Sequence, residues 1–351
     1  MLNKDKLSNI GVGILQVCLT LLVALIMGAL VMELSGKDSL AAYQVLLESA
    51  LGSKNAIANT LLAATPLIFS GLGAAIAFRA GVFNVGVEGA IYVGAFGAAW
   101  VGFTFLGLPG AALISLCFLM AAVVGGIWCY FPGVLKARLN VDEIVTTIML
   151  NYVAILLTSY LVNYPFRLPG LANAMSAEVA PQALLARLAP PSQLSTGFIL
   201  AVVAAIVIAF LFKRLRLGFE LRTVGDNPMF ARWSGMPAAG VIEKVMFISG
   251  LLGGLAGAVQ VLGVNYRFVA NFSPGYGFTG IAIALLARNS PLGTLLAALL
   301  FGILRSGSST MEIFTDVPRD LITVLEATVI LFVALEFSLS WLRRKRNGSA
   351  D

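Results

Sequence analysis

Apolar residues in this chain neither alternate nor fall into narrow stripes; they come in long runs separated by short polar breaks. A helix needs roughly 20 apolar residues to cross hydrocarbon, fewer if it stays inside protein. On that measure the runs predict ten segments, at 11–33, 59–78, 85–103, 108–131, 141–164, 195–212, 238–263, 278–287, 291–305 and 319–340. The eighth is too short to span alone and reads as a half-helix. A Gly-rich break, RAGVFNVGVEGA, follows the second segment, and another, NFSPGYGFTGIAIA, follows the seventh. Segments two to five and seven to ten would run in opposite senses from these breaks, and inverted repeats with broken helices are a transporter pattern. Between segments, AAYQVLLESAL within 34–58 suggests an interfacial helix, and in the Pro- and Ala-rich residues 165–194 the stretch APQALLARLAPP is expected to lie along the surface.

Composition makes the class firm. The 351 residues are 59% hydrophobic and 11% charged, against about 25% charged in soluble domains. The expectation is an all-α polytopic membrane protein forming one transmembrane domain over 1–351. Its parts are a head at 1–10, six segments over 11–212, a polar loop at 213–237, four segments over 238–340 and a basic tail at 341–351. The head MLNKDKLSN precedes a run too long for a signal peptide, so that run reads as the first span. Cys18, Cys117 and Cys129 all fall in apolar runs and form no disulfide or zinc framework. Histidine is absent, which removes Ser-His-Asp and Cys-His catalysis, His-metal sites and His proton relays. With the N-terminus inside and alternating segments, 16 of the 23 Lys and Arg fall inside and 7 outside. That bias places both termini and the loop 213–237 in the cytoplasm.

That loop, KRLRLGFELRTVGDNPMFARWSGMP, is the longest and most basic polar interruption. Within it Asn227 can cap a helix, Pro228 fits its first position, Gly235 can close it and Pro237 forbids continuation. The result is a helix of about two turns whose Met229, Phe230 and Trp233 share a side. So short a helix does not hold itself together in water, so something must receive its apolar face.

Other polar groups interrupt the apolar runs. Glu88 follows Phe83 and Asn84 in FNVGVEG; it either lines a path with Asn84 or serves as a helix-start acid favoured by the macrodipole. Asn140 and Glu143 have capping-box spacing. Thr147 and Asn151, one turn apart beside Tyr152, suit either helix–helix hydrogen bonds or a polar solute. Asn265, Tyr266, Phe268, Asn271, Phe272, Tyr276 and Phe278 suit a planar, hydrogen-bonding solute or an interfacial aromatic belt. Glu326, inside the last segment, has Arg305 and Arg319 as candidate partners. No G-x-x-x-x-G-K-[ST] loop is present, so nucleotide hydrolysis by that route is not in this chain.

The loop pattern E-L-R-x-V-G-x-N-P-x-x-A-R-x-x-G is carried by Glu220, Leu221, Arg222, Val224, Gly225, Asn227, Pro228, Ala231, Arg232 and Gly235, with Asp226 between. It resembles the permease subunits of ABC importers in the ribose, simple-sugar and nucleoside branch. FNVGVEG is similar to that family's F-N-[IV]-G-x-E-G, although Ala90 stands where glutamine often follows. TTIMLNY at Thr146–Tyr152 resembles the longer permease of nucleoside-uptake systems with basic-membrane-protein-like lipoproteins.

The resemblance implies a non-catalytic permease in a bacterial plasma membrane. The loop would form a coupling helix docked on a separate ATPase with two nucleotide-binding modules, which would hold the ATP and Mg; this chain would carry no cofactor or metal of its own. A second, different permease and an extracellular solute-binding lipoprotein would complete the importer. Nucleosides are the expected solute, and ribose or another simple sugar the alternative. The contrasting class is an ion-coupled secondary transporter, for which Glu88 and Glu326 are the candidate ion ligands.

Overall fold

The computed structural model describes residues 22–23, 25–34, 36–170, 173–315, 324, 327, 328 and 331. In chain order the helices are α1 (Leu25–Leu34), α2 (Ser39–Leu51), α3 (Lys54–Arg79), α4 (Val87–Thr104), α5 (Gly110–Leu139), α6 (Glu143–Asn163) and α7 (Gly197–Arg214). There follow α8 (Arg216–Asp226), α9 (Pro228–Trp233), α10 (Ala238–Gln260), α11 (Tyr276–Leu286) and α12 (Pro291–Thr315). Among the described residues there are seven helices long and apolar enough to cross a membrane, and no strand beyond two isolated bridges. The tenth expected segment, with Glu326 and Arg319, lies outside the described residues apart from Val324, Ala327, Thr328 and Leu331.

Boundaries moved where polar residues continue a helix. The segment expected at 108–131 runs on to Leu139, because Leu135, Lys136, Ala137 and Arg138 are good helix formers although two are charged. The ninth, expected to stop at residue 305, continues to Thr315. The eighth keeps its expected shortness at 11 residues, about 16 Å of helix. The stretch 39–51 is helical throughout, capped by Asp38, whose carboxylate accepts from the amides of Leu40 and Ala41.

The chain divides into two compact units. In one, made of Met1–Thr60 and Ile303–Asp351, α2 is tied to α1 by the Tyr43 hydroxyl, which donates to the Leu25 carbonyl at 2.7 Å. Thr60 donates to the Ala50 carbonyl at 2.8 Å.

The other unit, Leu61–Gly302, is built on α4, α5 and α10, each packed against the other two. These helices approach backbone to backbone. A Cβ on Gly254 would lie 2.0 Å from the Ala121 carbonyl oxygen, and one on Gly250 2.2 Å from that of Gly125. Small residues four apart permit this approach, which supplies dispersion contact where lipid offers no hydrophobic drive between helices. Cys117 and Cys129 are buried within α5, and Arg138 reaches across to Glu243 of α10 (Nε to Oε1 2.7 Å), which also accepts from the Tyr130 hydroxyl at 3.3 Å. This trio was not anticipated, although a lone acid early in an otherwise apolar run was a visible sign of it.

Replacing Gly254 by valine is expected to destabilise the detergent-solubilised protein by about 1–3 kcal/mol or more, since no neighbouring backbone can yield. Gly240→Ala, where a Cβ would meet only Pro237 at 3.9 Å, is expected to leave thermal unfolding unchanged.

Candidate functional site

Two features expected to matter are the short capped helix and the break before α4, and the structure joins them. Asn227, in an extended conformation, accepts from the Phe230 amide at 2.9 Å, and Pro228 opens α9. At the other end Gly235 takes φ +75°, its amide donates to the Arg232 carbonyl (3.0 Å), and the Met236 amide donates to Ala231 (2.9 Å). That is the Schellman pair of bonds, which needs a left-handed residue at the Gly235 position. Ala231 is buried, whereas Met229, Phe230 and Trp233 are 65%, 57% and 84% exposed. The apolar face is thus presented on a helix locked at both ends.

Of the basic residues, Arg216 pairs with Glu220 at 2.7 Å, and Glu220 is buried within α8. Arg222 turns back on its own helix, its Nε donating to the Gly218 carbonyl at 2.9 Å. Arg232 and Asp226 are exposed. Gly225 has another function in the fold. A Cβ there would lie 2.2 Å from the Arg79 carbonyl oxygen and 3.0 Å from the carbonyl carbon of Ala80. The loop carrying α9 therefore rests on the chain that leaves α3.

That chain, residues 80–86, is the first break. Gly81 and Phe83 are exposed, but residues 84–86 are buried, and backbone groups there are stranded beyond the reach of water. Two asparagines satisfy them. Asn84 accepts from the Gly86 amide (2.8 Å) and donates to Ser249 Oγ (2.8 Å), which donates to the Gly73 carbonyl (2.6 Å). Asn151 accepts from the Gly89 amide (2.8 Å) and donates to the Val85 carbonyl (3.0 Å). Ser249 was not singled out beforehand; a solitary hydroxyl ahead of the glycines of α10 was its only mark in the sequence.

Glu88 sits buried in the first turn of α4, and its Oε2 accepts from the Gly277 amide at 2.5 Å, at the start of α11. The two breaks therefore bring the first turns of α4 and α11 to one carboxylate, an arrangement the helix dipole favours. Tyr276 is the first residue of α11, its amide bonded to Ser273 Oγ at 3.2 Å. Thr147 is buried against Gly86 and donates within its own helix to Glu143 (2.6 Å). Tyr152 points the other way and is 63% exposed. Phe83 stacks on Phe78, ring centroids 4.5 Å apart.

Three local expectations are corrected. Asn140 does not cap α6; it ends α5 at φ +53°, and Asp142 caps α6 by accepting from Ile144 and Val145. Asp142 adjoins the helix and Asn140 does not, so the nearer acceptor takes the amides. The stretch APQALLARLAPP is largely exposed as expected but not simply superficial: Ala183 and Leu185 are buried, and the Leu185 amide donates to the Leu262 carbonyl, as Ser176 and Val179 just before the stretch donate to those of Phe268 and Tyr266. Those carbonyls lie in or beyond the π turn Val261–Asn265, where α10's regular ladder gives out. The aromatic residues do not form an interfacial belt as a group. Phe268 is fully buried, with Phe96 and Phe272 both at 5.6 Å, while Tyr266 accepts from Arg187 at 2.8 Å.

A family model described as branched-chain amino acid transport system / permease component matches residues 56–334. The guanosine ABC transporter permease protein NupP of Bacillus subtilis is 37% identical over 345 residues, 97% of each chain. The glucose ABC transporter permease protein TsgB13 of Haloferax volcanii is 36% identical, covering 95% of this chain and 89% of its own. The nucleoside ABC transporter permease protein NupB of Lactococcus lactis is 32% identical, over 89% and 88%. A solved chain of a metal-chelate type ABC transporter in an inward-facing conformation aligns over 93% of this chain and 97% of its own, with TM-score 0.44 and 16% identity, a likeness too distant to carry detail across.

Replacing Asn151 by leucine orphans the Gly89 amide and the Val85 carbonyl, at about 1–3 kcal/mol each. The expected outcome is lower thermal stability together with faster hydrogen exchange at the Gly89 amide, while Tyr152→Leu, one residue on, changes neither.

Proposed function

The chain belongs to the family of permease components of branched-chain amino acid transport systems and is a multi-pass membrane permease of an ABC transporter; on that premise we propose that it imports nucleosides and is driven by a separate ATPase through α9. The observation that carries the coupling is the exposed face of Met229, Phe230 and Trp233 on a doubly capped two-turn helix. Its flanks are charged and polar, so the face meets protein in water rather than lipid. An apolar groove on a cytoplasmic ATPase with two nucleotide-binding modules fits it, with Arg222 and Arg232 available to acidic surface around that groove. Glu220, Gly225, Asp226, Asn227, Pro228, Ala231 and Gly235 shape and seat the helix. ATP and Mg then belong to that partner, which performs the hydrolysis.

The guanosine and nucleoside permeases among the relatives favour a nucleoside as solute. The glucose permease gives a simple sugar as second reading. Phe83, Asn84, Glu88, Thr147, Asn151, Tyr152, Asn265 and Tyr276 are assigned to the path or its walls. In this reading one transmembrane domain of ten segments lies in the bacterial plasma membrane with both termini in the cytoplasm. It pairs with a second, different permease and receives solute from an extracellular binding lipoprotein.

Phe230→Asp and Trp233→Asp are expected to abolish ATP-dependent uptake and co-purification of the ATPase while leaving this chain's own thermal unfolding unchanged, because both side chains are exposed. Uptake that survives ATP depletion but stops when the ion gradient collapses would instead support an ion-coupled transporter. Competition of labelled guanosine uptake by unlabelled nucleosides and by glucose separates the two solutes; competition by sugar alone overturns the nucleoside reading.

A further inference from the structure

Outside the coupling loop and the break, an apolar groove of 540 Å³ runs between α5 and α10 and is closed at one end by α8. Ile127, Tyr130, Phe247, Ile248 and Leu217 form its walls, and Lys244 is its charged member. From these features we propose that the groove binds an anionic phospholipid, with one acyl chain along the apolar walls and the phosphate at Lys244.

Position along the helices sets the depth. Lys244 lies six residues and Ile248 ten residues into α10, about 9 and 15 Å from its start. On the antiparallel α5, Tyr130 and Ile127 lie nine and twelve residues before its end, about 14 and 18 Å. The α5 and α10 lining therefore covers about 9 Å of depth, within one leaflet of a hydrocarbon core of about 30 Å, and Lys244 is the member of that lining nearest the helix ends.

Charge is arranged along the same axis. Glu243, next to Lys244, is occupied by Arg138 and Tyr130, and among the described residues no ion pair involves Lys244. Exposed Lys213 and Arg214 end α7 just before Leu217 enters the wall. A lysine bordering an apolar groove, with Lys213 and Arg214 within about one turn of chain from Leu217, matches an acidic headgroup above a lipid tail. A protein partner would have to bury Lys244 and supply it with an acid. The leaflet is the cytoplasmic one if the coupling loop is cytoplasmic as proposed above, but the binding itself does not depend on that reading.

The test is native mass spectrometry of the whole chain in mild detergent, titrated separately with phosphatidylglycerol and phosphatidylcholine. Phosphatidylglycerol is expected to bind the more tightly. Lys244→Gln is expected to weaken it about fivefold, the value of one lysine at a membrane surface, while Lys54→Gln leaves it unchanged. Ile127→Trp, at an exposed position, fills the groove and is expected to block both lipids. Equal affinity for the two lipids, an unaltered Lys244→Gln variant, or phosphatidylglycerol binding that survives Ile127→Trp overturns the proposal. So does disulfide cross-linking of an Ile127→Cys variant to a second permease chain in membranes, which would give the groove to protein.

Discussion

The structure depends on how a helix is broken where water cannot repair the break. A backbone that leaves α3 at Arg79 and re-enters helix at Val87 exposes amides and carbonyls to an apolar interior, each costing several kcal/mol if unmet in hydrocarbon. Asn84 and Asn151 meet that cost from opposite sides, one drawing on α10 and α3 through Ser249, the other on α6. An amide side chain is suited to this because it both donates and accepts. A hydrophobic isostere such as leucine would keep the packing and strand the backbone. The ordered break in turn lets Glu88, in the first turn of α4, face the start of α11 and accept from its Gly277 amide.

Around this polar seam the packing is as close as backbone allows. The glycines of α10 meet α5 without side chains between them, which holds Ser249 at the depth where Asn84 needs it. The same device recurs where the loop 213–237 meets the seam: Gly225 touches the carbonyls of Arg79 and Ala80, the residues that open the break. The motif that marks the loop is therefore two kinds of residue in one string. Met229, Phe230 and Trp233 look outward, whereas Gly225, Glu220 and Ala231 seat the loop on the rest of the unit.

What could be read from the sequence was what depends on neighbours in the chain. The caps of α9 follow from Asn227, Pro228 and Gly235, all within a few residues of the bonds they make. The long apolar helices follow from composition, and α5 was underestimated only because hydropathy discounts Lys136 and Arg138, which helix propensity does not. What could not be read depends on residues far apart. Asn151 is 62 residues from the Gly89 amide it accepts from, and Asn84 is 165 from Ser249. Sequence alone left Asn151 suspended between a solute and a neighbouring helix, and its neighbour turned out to be a broken strand of backbone. The loop 165–194 misled for the same reason: its proline and alanine content describes an irregular path, while its place is set by carbonyls at 262–268.

Exposed apolar surface means different things at different places on this chain. On α6, Leu156 and Tyr160 are exposed on a helix long enough to cross a membrane, and lipid answers for them without further explanation. On α9 the same exposure occurs on six residues between an asparagine cap and a glycine stop, next to exposed Arg232 and Asp226. No bilayer depth suits that combination, and it is on this ground that a protein groove is proposed for the face. The groove beside Lys244 lies between these cases, apolar along its length and cationic at its end. The position of charge relative to apolar area, more than the amount of either, separates a lipid-facing surface from the two proposed for a lipid headgroup and for a partner chain.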